Sequence, residues 1–208
     1  MMFLVSSGGI VDFRFGILTS PGHKGIPKGI IHGMSWAIDN ECYTKTFELL
    51  RFQTWLETMK PYRDTCLFVN VPDIVGNARE TLQQFAKFAP DLSDWPLAFA
   101  AQDGQESLEF PKSFDALFVG GTTDWKMSSS AIECIQRAQS LGKHIHIGRV
   151  NWYRRFAYFA GLPGSEEWTC DGTRQRFEGV ERTMEDWAKY MARPRQAHLF
   201  VSSGDCTR

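Results

Sequence analysis

The chain has almost no net charge. Its 208 residues carry 23 Lys and Arg against 24 Asp and Glu, a formal net charge of -1. A polycation that coats nucleic acid through bulk charge is therefore excluded, and contact with a polyanion must come from a local patch. Cysteine is scarce and unpaired in sequence. The five, Cys42, Cys66, Cys134, Cys170 and Cys206, form no Cys-x-x-Cys pair, which favours reduced thiols acting as small hydrophobes over a disulfide framework. No apolar run is long enough to span a bilayer, and the opening Met-Met-Phe-Leu-Val is too short for a signal-peptide core. A soluble, cytoplasmic protein is expected. No low-complexity stretch, charge block or long linker divides the chain, so residues 1–208 are read as a single domain. No Gly-x-x-x-x-Gly-Lys or Gly-x-Gly-x-x-Gly follows a strand, which removes the phosphate-binding loops as a basis for function.

What is present is an alternation of short apolar runs with helical stripes. Eight runs read as buried strands: 13–18, 35–38, 66–71, 97–101, 116–119, 144–147, 167–170 and 198–201. Between them, Phe52, Trp55, Leu56 and Met59 share one helical face, as do Leu82, Phe85, Ala86 and Ala89. Ala131, Ile135 and Ala138 make a third stripe, Trp152, Phe156 and Phe159 a fourth, and Val180, Met184, Trp187 and Met191 a fifth. All of these are assigned to core. Alternating strand and helix implies a parallel sheet, and eight strands suggest a closed α/β (β/α)₈ TIM barrel. At this length some crossovers must be short, as over Gln105 to Ser113. An open doubly wound sheet is the structural alternative.

The informative pattern lies where the runs end. Asp39-Asn40, Asp73, Gln102-Asp103, Gly120-Gly121, Arg149 and Asp171-Gly172 each follow an apolar run. In a barrel all these ends open on one face, where active sites lie. An Asp after a strand is by itself a common turn former or N-cap. Three carboxylates, an amide and a glycine pair on one rim are a site, because clustered carboxylates shift one another's pKa and can divide into acid and base roles. The glycine pair lets backbone approach a flat ligand closely.

At these residues the sequence resembles the tRNA-guanine transglycosylase superfamily. The likeness is nearest to the shorter, phage-type branch that inserts deazaguanine bases (preQ0-like) into DNA. It is carried by Ala37-Ile38-Asp39-Asn40, Val71-Pro72-Asp73, Ala101-Gln102-Asp103-Gly104, Phe118-Val119-Gly120-Gly121-Thr122-Thr123, His146-Ile147-Gly148-Arg149-Val150-Asn151 and Cys170-Asp171-Gly172-Thr173. The resemblance runs from about Gly16 to Arg176. It implies that Asp171 is a nucleophile attacking the anomeric carbon and Asp39 a general acid and base. Asp73 would read the guanine edge, and Gln102 with the backbone at Gly120 and Gly121 would meet the purine carbonyl. It also implies a glycosyltransferase of barrel fold acting on DNA with a deazaguanine co-substrate, in the host cytoplasm if phage-encoded.

The chain departs from that family in two places. The zinc site of three Cys and a His cannot be built, since Cys206 and His198 are the only such residues after Asp171. A barrel lacking the zinc-binding subdomain is expected, with no metal and no cofactor, and the missing tRNA-gripping segment tilts the substrate towards DNA. Asn40-Glu41 stands where the family carries Ser-Gly-Gly around its first aspartate.

A base must be flipped or single-stranded to enter such a pocket, so phosphate contacts are needed around it. Lys126, Arg149, Arg154, Arg155, Arg174 and Arg176 are the candidates, with Trp125, Trp152 and Tyr153 among them for stacking. His23 and His146 are weighed as substrate contacts, against the commoner reading of a histidine satisfied within the fold. Three other functions stay open: the same chemistry on tRNA, a non-catalytic nucleic-acid-binding subunit, and an unrelated barrel hydrolase acting on a nucleoside or sugar.

Overall fold

The computed structural model describes residues 1–6 and 8–173, with the single positions 179, 182, 183 and 185. Eight parallel strands close on themselves in sequence order. They are β1 (Met2–Val5), β2 (Phe15–Thr19), β3 (Trp36–Ile38), β4 (Cys66–Asn70), β5 (Leu97–Ala101), β6 (Ala116–Val119), β7 (His144–Ile147) and β8 (Thr169–Asp171). The ring closes where Leu4 pairs with Asp171 and Met2 with Thr169. The chain folds as a (β/α)₈ TIM barrel.

The helices among the described residues are α1 (Lys28–Ile31), α2 (Leu49–Met59), α3 (Ala78–Phe88), α4 (Thr123–Lys126), α5 (Ser129–Ser140) and α6 (Tyr153–Ala160). Their boundaries follow local chemistry. Asn77 accepts the Glu80 N–H to start α3, and Ser128 accepts the Ala131 N–H to start α5, leaving fewer orphan donors in each first turn. Gly142, at φ 67°, follows the end of α5 in the left-handed turn that glycine takes most easily. The small size is met by shortening crossovers. Between β5 and β6 runs only a 3₁₀ turn, Gln105–Ser107, and α1 is a single turn.

Two core layers follow from strand alternation. Inward-facing Leu4, Leu18, Ala37, Phe68, Ala98 and Ala116 fill the barrel, with Phe118 against them. The alanines on β3, β5 and β6 leave room for the Phe68 and Phe118 rings, 6.3 Å apart edge to face. The outer layer packs Phe52, Leu56, Phe85, Ile135 and Phe159 onto the strands.

Several sequence expectations change here. β1 lies in the opening run, which was read only against targeting signals. The expected strand at 198–201 and the stripe from Val180 to Met191 lie outside the described residues. The run at 13–18 starts too early, because Phe13 is exposed and β2 begins at Phe15. Two members of the core stripes are not core: Ala86 and Trp152 are exposed. Cys134 and Cys170 are buried free thiols, while Cys42 and Cys66 are partly buried and also free. Among the described residues no helix is long and apolar enough to cross a membrane.

Candidate active site

The strand ends open onto a cavity of about 970 Å³ whose lining includes Thr19, Asp39, Glu41, Lys126, Arg149 and Asp171. Asp39 follows β3 and Asp171 ends β8, so the two carboxyls enter one space from different strands. Burial pushes the Asp39 carboxyl up to about 7, and the negative charge of Asp171 adds to this, with smaller additions from Asp73 and Glu41. The Glu41 N–H, donating to Asp39 Oδ1 at 3.2 Å, offsets part of that rise. A carboxyl raised this far suits proton exchange near neutrality, the range in which general acid and base chemistry works.

Asp171 has a different environment. His146 Nε2 lies 2.9 Å from Oδ2, and the Arg149 N–H donates to Oδ1 at 3.1 Å. The Arg149 N–H donates to this oxygen pair, and His146 does so when its Nε2 carries the hydrogen. Arg149 reaches this place through a left-handed backbone, φ 58°, uncommon for a residue with a Cβ.

Asn40 and Glu41 shape the Asp39 loop. Glu41 also sits at positive φ, 60°. Burial works against its charge, but hydrogen bonds from Lys45 and Ser20 and the charges of Lys45 and Arg51 outweigh that and hold its carboxyl below the usual range. Asn40 donates to the Val71 carbonyl at 2.9 Å and to Asp73 Oδ1 at 2.8 Å, tying this loop to the next strand end.

Asp73, Gln102, Gly120 and Gly121 come together, but beside the cavity and not in its lining. Gln102 Nε2 donates to Asp73 Oδ2, while its Oε1 accepts the Gly121 N–H at 2.7 Å and the Gly76 N–H at 2.9 Å. A Cβ at Gly120 would collide with that Gln102 amide, so the first glycine exists to admit it. Burial raises the Asp73 carboxyl, opposed by Asn40 and by the Arg149 charge. Asp73 and Gln102, expected in the base pocket, thus stand outside the lining of this cavity, with their polar groups satisfying one another. Arg149 connects the two regions. It lines the cavity, donates from Nη2 to the Gly121 carbonyl, and lies 4.5 Å from the Tyr43 ring centroid.

The expected phosphate contacts are scattered. Lys126 is not on the rim: it is 1% exposed, its Nζ donates to the Gly148 carbonyl, and burial pushes it down to about 7. Arg155 lines the cavity, with Nη1 donating to the Arg149 carbonyl at 2.6 Å. Arg154 is exposed outside that lining. Arg174 and Arg176 lie outside the described residues. Trp125 is buried, with Nε1 donating to Glu106, so it cannot stack on a base, whereas Trp152 lines the cavity and is 64% exposed.

Sequence reasoning missed several groups. Lys24 and Lys45 line the cavity; His23, weighed from the sequence, lines it too, with Nδ1 accepting the Ser20 N–H. Thr19 Oγ1, in the lining, and Asn70 Oδ1 are buried with no hydrogen-bond partner among the described residues, and orphaned polar atoms of this kind call for a ligand or a reason. His146 was weighed and set aside. The signal for it was present: His144 and His146 alternate on one strand, Thr169 and Asp171 on the next, so four polar side chains point inward together. Among the described residues no three His, Cys, Asp or Glu side chains gather as metal ligands do.

No family model, curated protein or solved structure matches the chain.

Proposed function

We propose that this protein exchanges a base on DNA, replacing guanine with a deazaguanine through a covalent ester between Asp171 and the sugar. One observation carries the reading: two carboxyls from different strands face one cavity. Burial raises the Asp39 carboxyl to about 7, while Asp171 is contacted by His146 Nε2 and by the Arg149 N–H, and in this proposal proton transfer and attack are divided between them. Cleaving an N-glycosidic bond needs this division.

An Asp171 oxygen attacks C1′ of the sugar. The bond from C1′ to the purine nitrogen breaks, its electron pair leaves with the base, and Asp39 gives the base a proton. Ester formation removes the charge of Asp171, one cause of the raised Asp39 carboxyl. Asp39 therefore becomes a stronger acid as the leaving base needs its proton. The incoming base then loses a proton to the Asp39 carboxylate, and its nitrogen displaces Asp171 from C1′.

The walls suit a nucleotide. Lys24, Lys45, Arg149 and Arg155 surround the carboxylates, placing positive charge where flanking phosphates would lie.

The separation of Asp73 and Gln102 from the cavity lining favours a second reading, hydrolysis of a nucleoside or sugar without base uptake. The test is incubation with DNA, and in parallel with tRNA, in the presence of a labelled deazaguanine. Label in DNA supports the proposal, label confined to tRNA moves the substrate, and abasic product without label favours hydrolysis. Incorporation by Asp171→Ala at the parent's rate rules the mechanism out.

A further inference from the structure

The inward faces of β7 and β8 carry a run of polar contacts of which the mechanism above uses only the last, His146 to Asp171. His144 Nε2 is 2.9 Å from Thr169 Oγ1, Thr169 Oγ1 is 2.8 Å from His146 Nδ1, and His146 Nε2 is 2.9 Å from Asp171 Oδ2. The run begins at the opposite end of the barrel, where His144 lines a second cavity of about 370 Å³ with Lys143 and Trp168. It passes through the core. His146 has no solvent exposure, and its ring centroid lies 4.9 Å from that of Phe68 and 4.7 Å from that of Phe118.

Donor and acceptor counting gives the run a direction. An ionised Asp171 only accepts, so His146 Nε2 must carry the proton. In a neutral ring Nδ1 is then a bare acceptor, and among the described residues the only donor facing it is the Thr169 hydroxyl. That hydroxyl has spent its one hydrogen, so its oxygen accepts from His144 Nε2–H. Burial, with His146 beside it, pushes His144 down to about 4, which agrees with a neutral ring there. All three hydrogen bonds then point towards Asp171.

We propose that His144, Thr169 and His146 form a directed relay that fixes His146 as the Nε2–H tautomer and thereby positions Asp171 for attack. This rests on the reading of Asp171 as nucleophile. His146 is a positioning residue: it touches Asp171 and not the sugar. Its N–H can stay on Oδ2 as the carboxylate becomes an ester, since carboxylate and ester carbonyl oxygens both accept. The relay therefore holds the side chain through the reaction without consuming its reactivity. It acts on the bond-making step and not on substrate binding, so its loss should appear in kcat and leave KM unchanged.

The first test is ¹⁵N NMR of the imidazoles in the unmodified protein at neutral pH. Nε2–H tautomers at both His144 and His146 support the relay. An imidazolium at His146, or a proton on Nδ1 of a neutral His146, overturns it, because either would turn the Thr169 hydroxyl away from His146. The second is Thr169→Val, which keeps the branched shape and removes the hydroxyl. It should lower kcat for base exchange about 10- to 100-fold, the usual loss on breaking a supporting contact, with KM unchanged and Thr169→Ser restoring most of the rate. Unchanged kcat, or an effect confined to KM, overturns the proposal. Should the parent protein exchange no base, the reading of Asp171 fails, while the NMR result still decides the relay.

Discussion

Asp39→Asn should make the protein more stable as it makes it inactive, and the gain should depend on pH. An unfolded Asp39 loses its proton near 3.8, whereas in the folded cavity it does so at about 7. Between those values the native state holds a proton that the unfolded state has released, so stability falls as pH rises through the window. Each pKa unit is worth 1.36 kcal/mol, so the full interval amounts to about 4 kcal/mol, and partial solvent contact brings this to about 2–4 kcal/mol. Asn copies the protonated carboxyl: it is neutral, of the same shape, and its Oδ1 can still accept the Glu41 N–H. The two proteins should therefore match near pH 4 and diverge by about 2–4 kcal/mol above pH 7. In a domain of this size that is a rise of roughly 5–15 °C in Tm. Urea titrations at intervals from pH 4 to pH 8, with base exchange measured in parallel, provide the check. Superimposable stability at pH 8, or an offset that does not change with pH, would refute the account of Asp39.

Thr19→Val should move stability and binding in opposite directions. Removing the orphaned Thr19 hydroxyl should stabilise the free protein by about 1 kcal/mol and raise KM, seen by thermal melting and steady-state kinetics. Lys126→Met removes an amine whose folded pKa is near 7 instead of 10.5. The unfolded state binds the extra proton between those values, so the variant should gain about 5 kcal/mol below pH 7, with the gain fading towards pH 10.5 in denaturant titrations. Gly121→Ala forces a Cβ into the left-handed region at φ 68°, against the Trp125 ring and 2.8 Å from Asp103 Oδ2. It should lose at least about 1–3 kcal/mol by denaturant titration.

The barrel was legible because its signals are local. Seven strands announce themselves as short apolar runs, and the polar residues that end them were read as one rim before any geometry was known. β1 has the same character, but its four residues sit at the beginning of the chain, where an apolar run is first judged as a targeting signal. The carboxylates were legible by type and position. Their partners were not: nothing in the order of residues says that Gln102 turns its amide onto Asp73 and Gly121, because that depends on the approach of β4, β5 and β6. Lys126 shows the same limit. In sequence it stands among polar residues after a strand, like any phosphate contact, yet α4 is a single turn and carries it inward under Gly148. Burial of a charged side chain is a property of the tertiary arrangement, and composition cannot reveal it.

Closure of the ring between β1 and β8 has a consequence for folding. Leu4 and Asp171 pair across almost the whole length of the barrel's sequence, and pairings between such distant segments form slowly, after local helices and neighbouring strands. Asp171, the proposed nucleophile, thus sits on the strand pairing that spans the greatest separation in sequence. The proposed chemistry would then require a completed circle, because only ring closure seats Asp171 against β1.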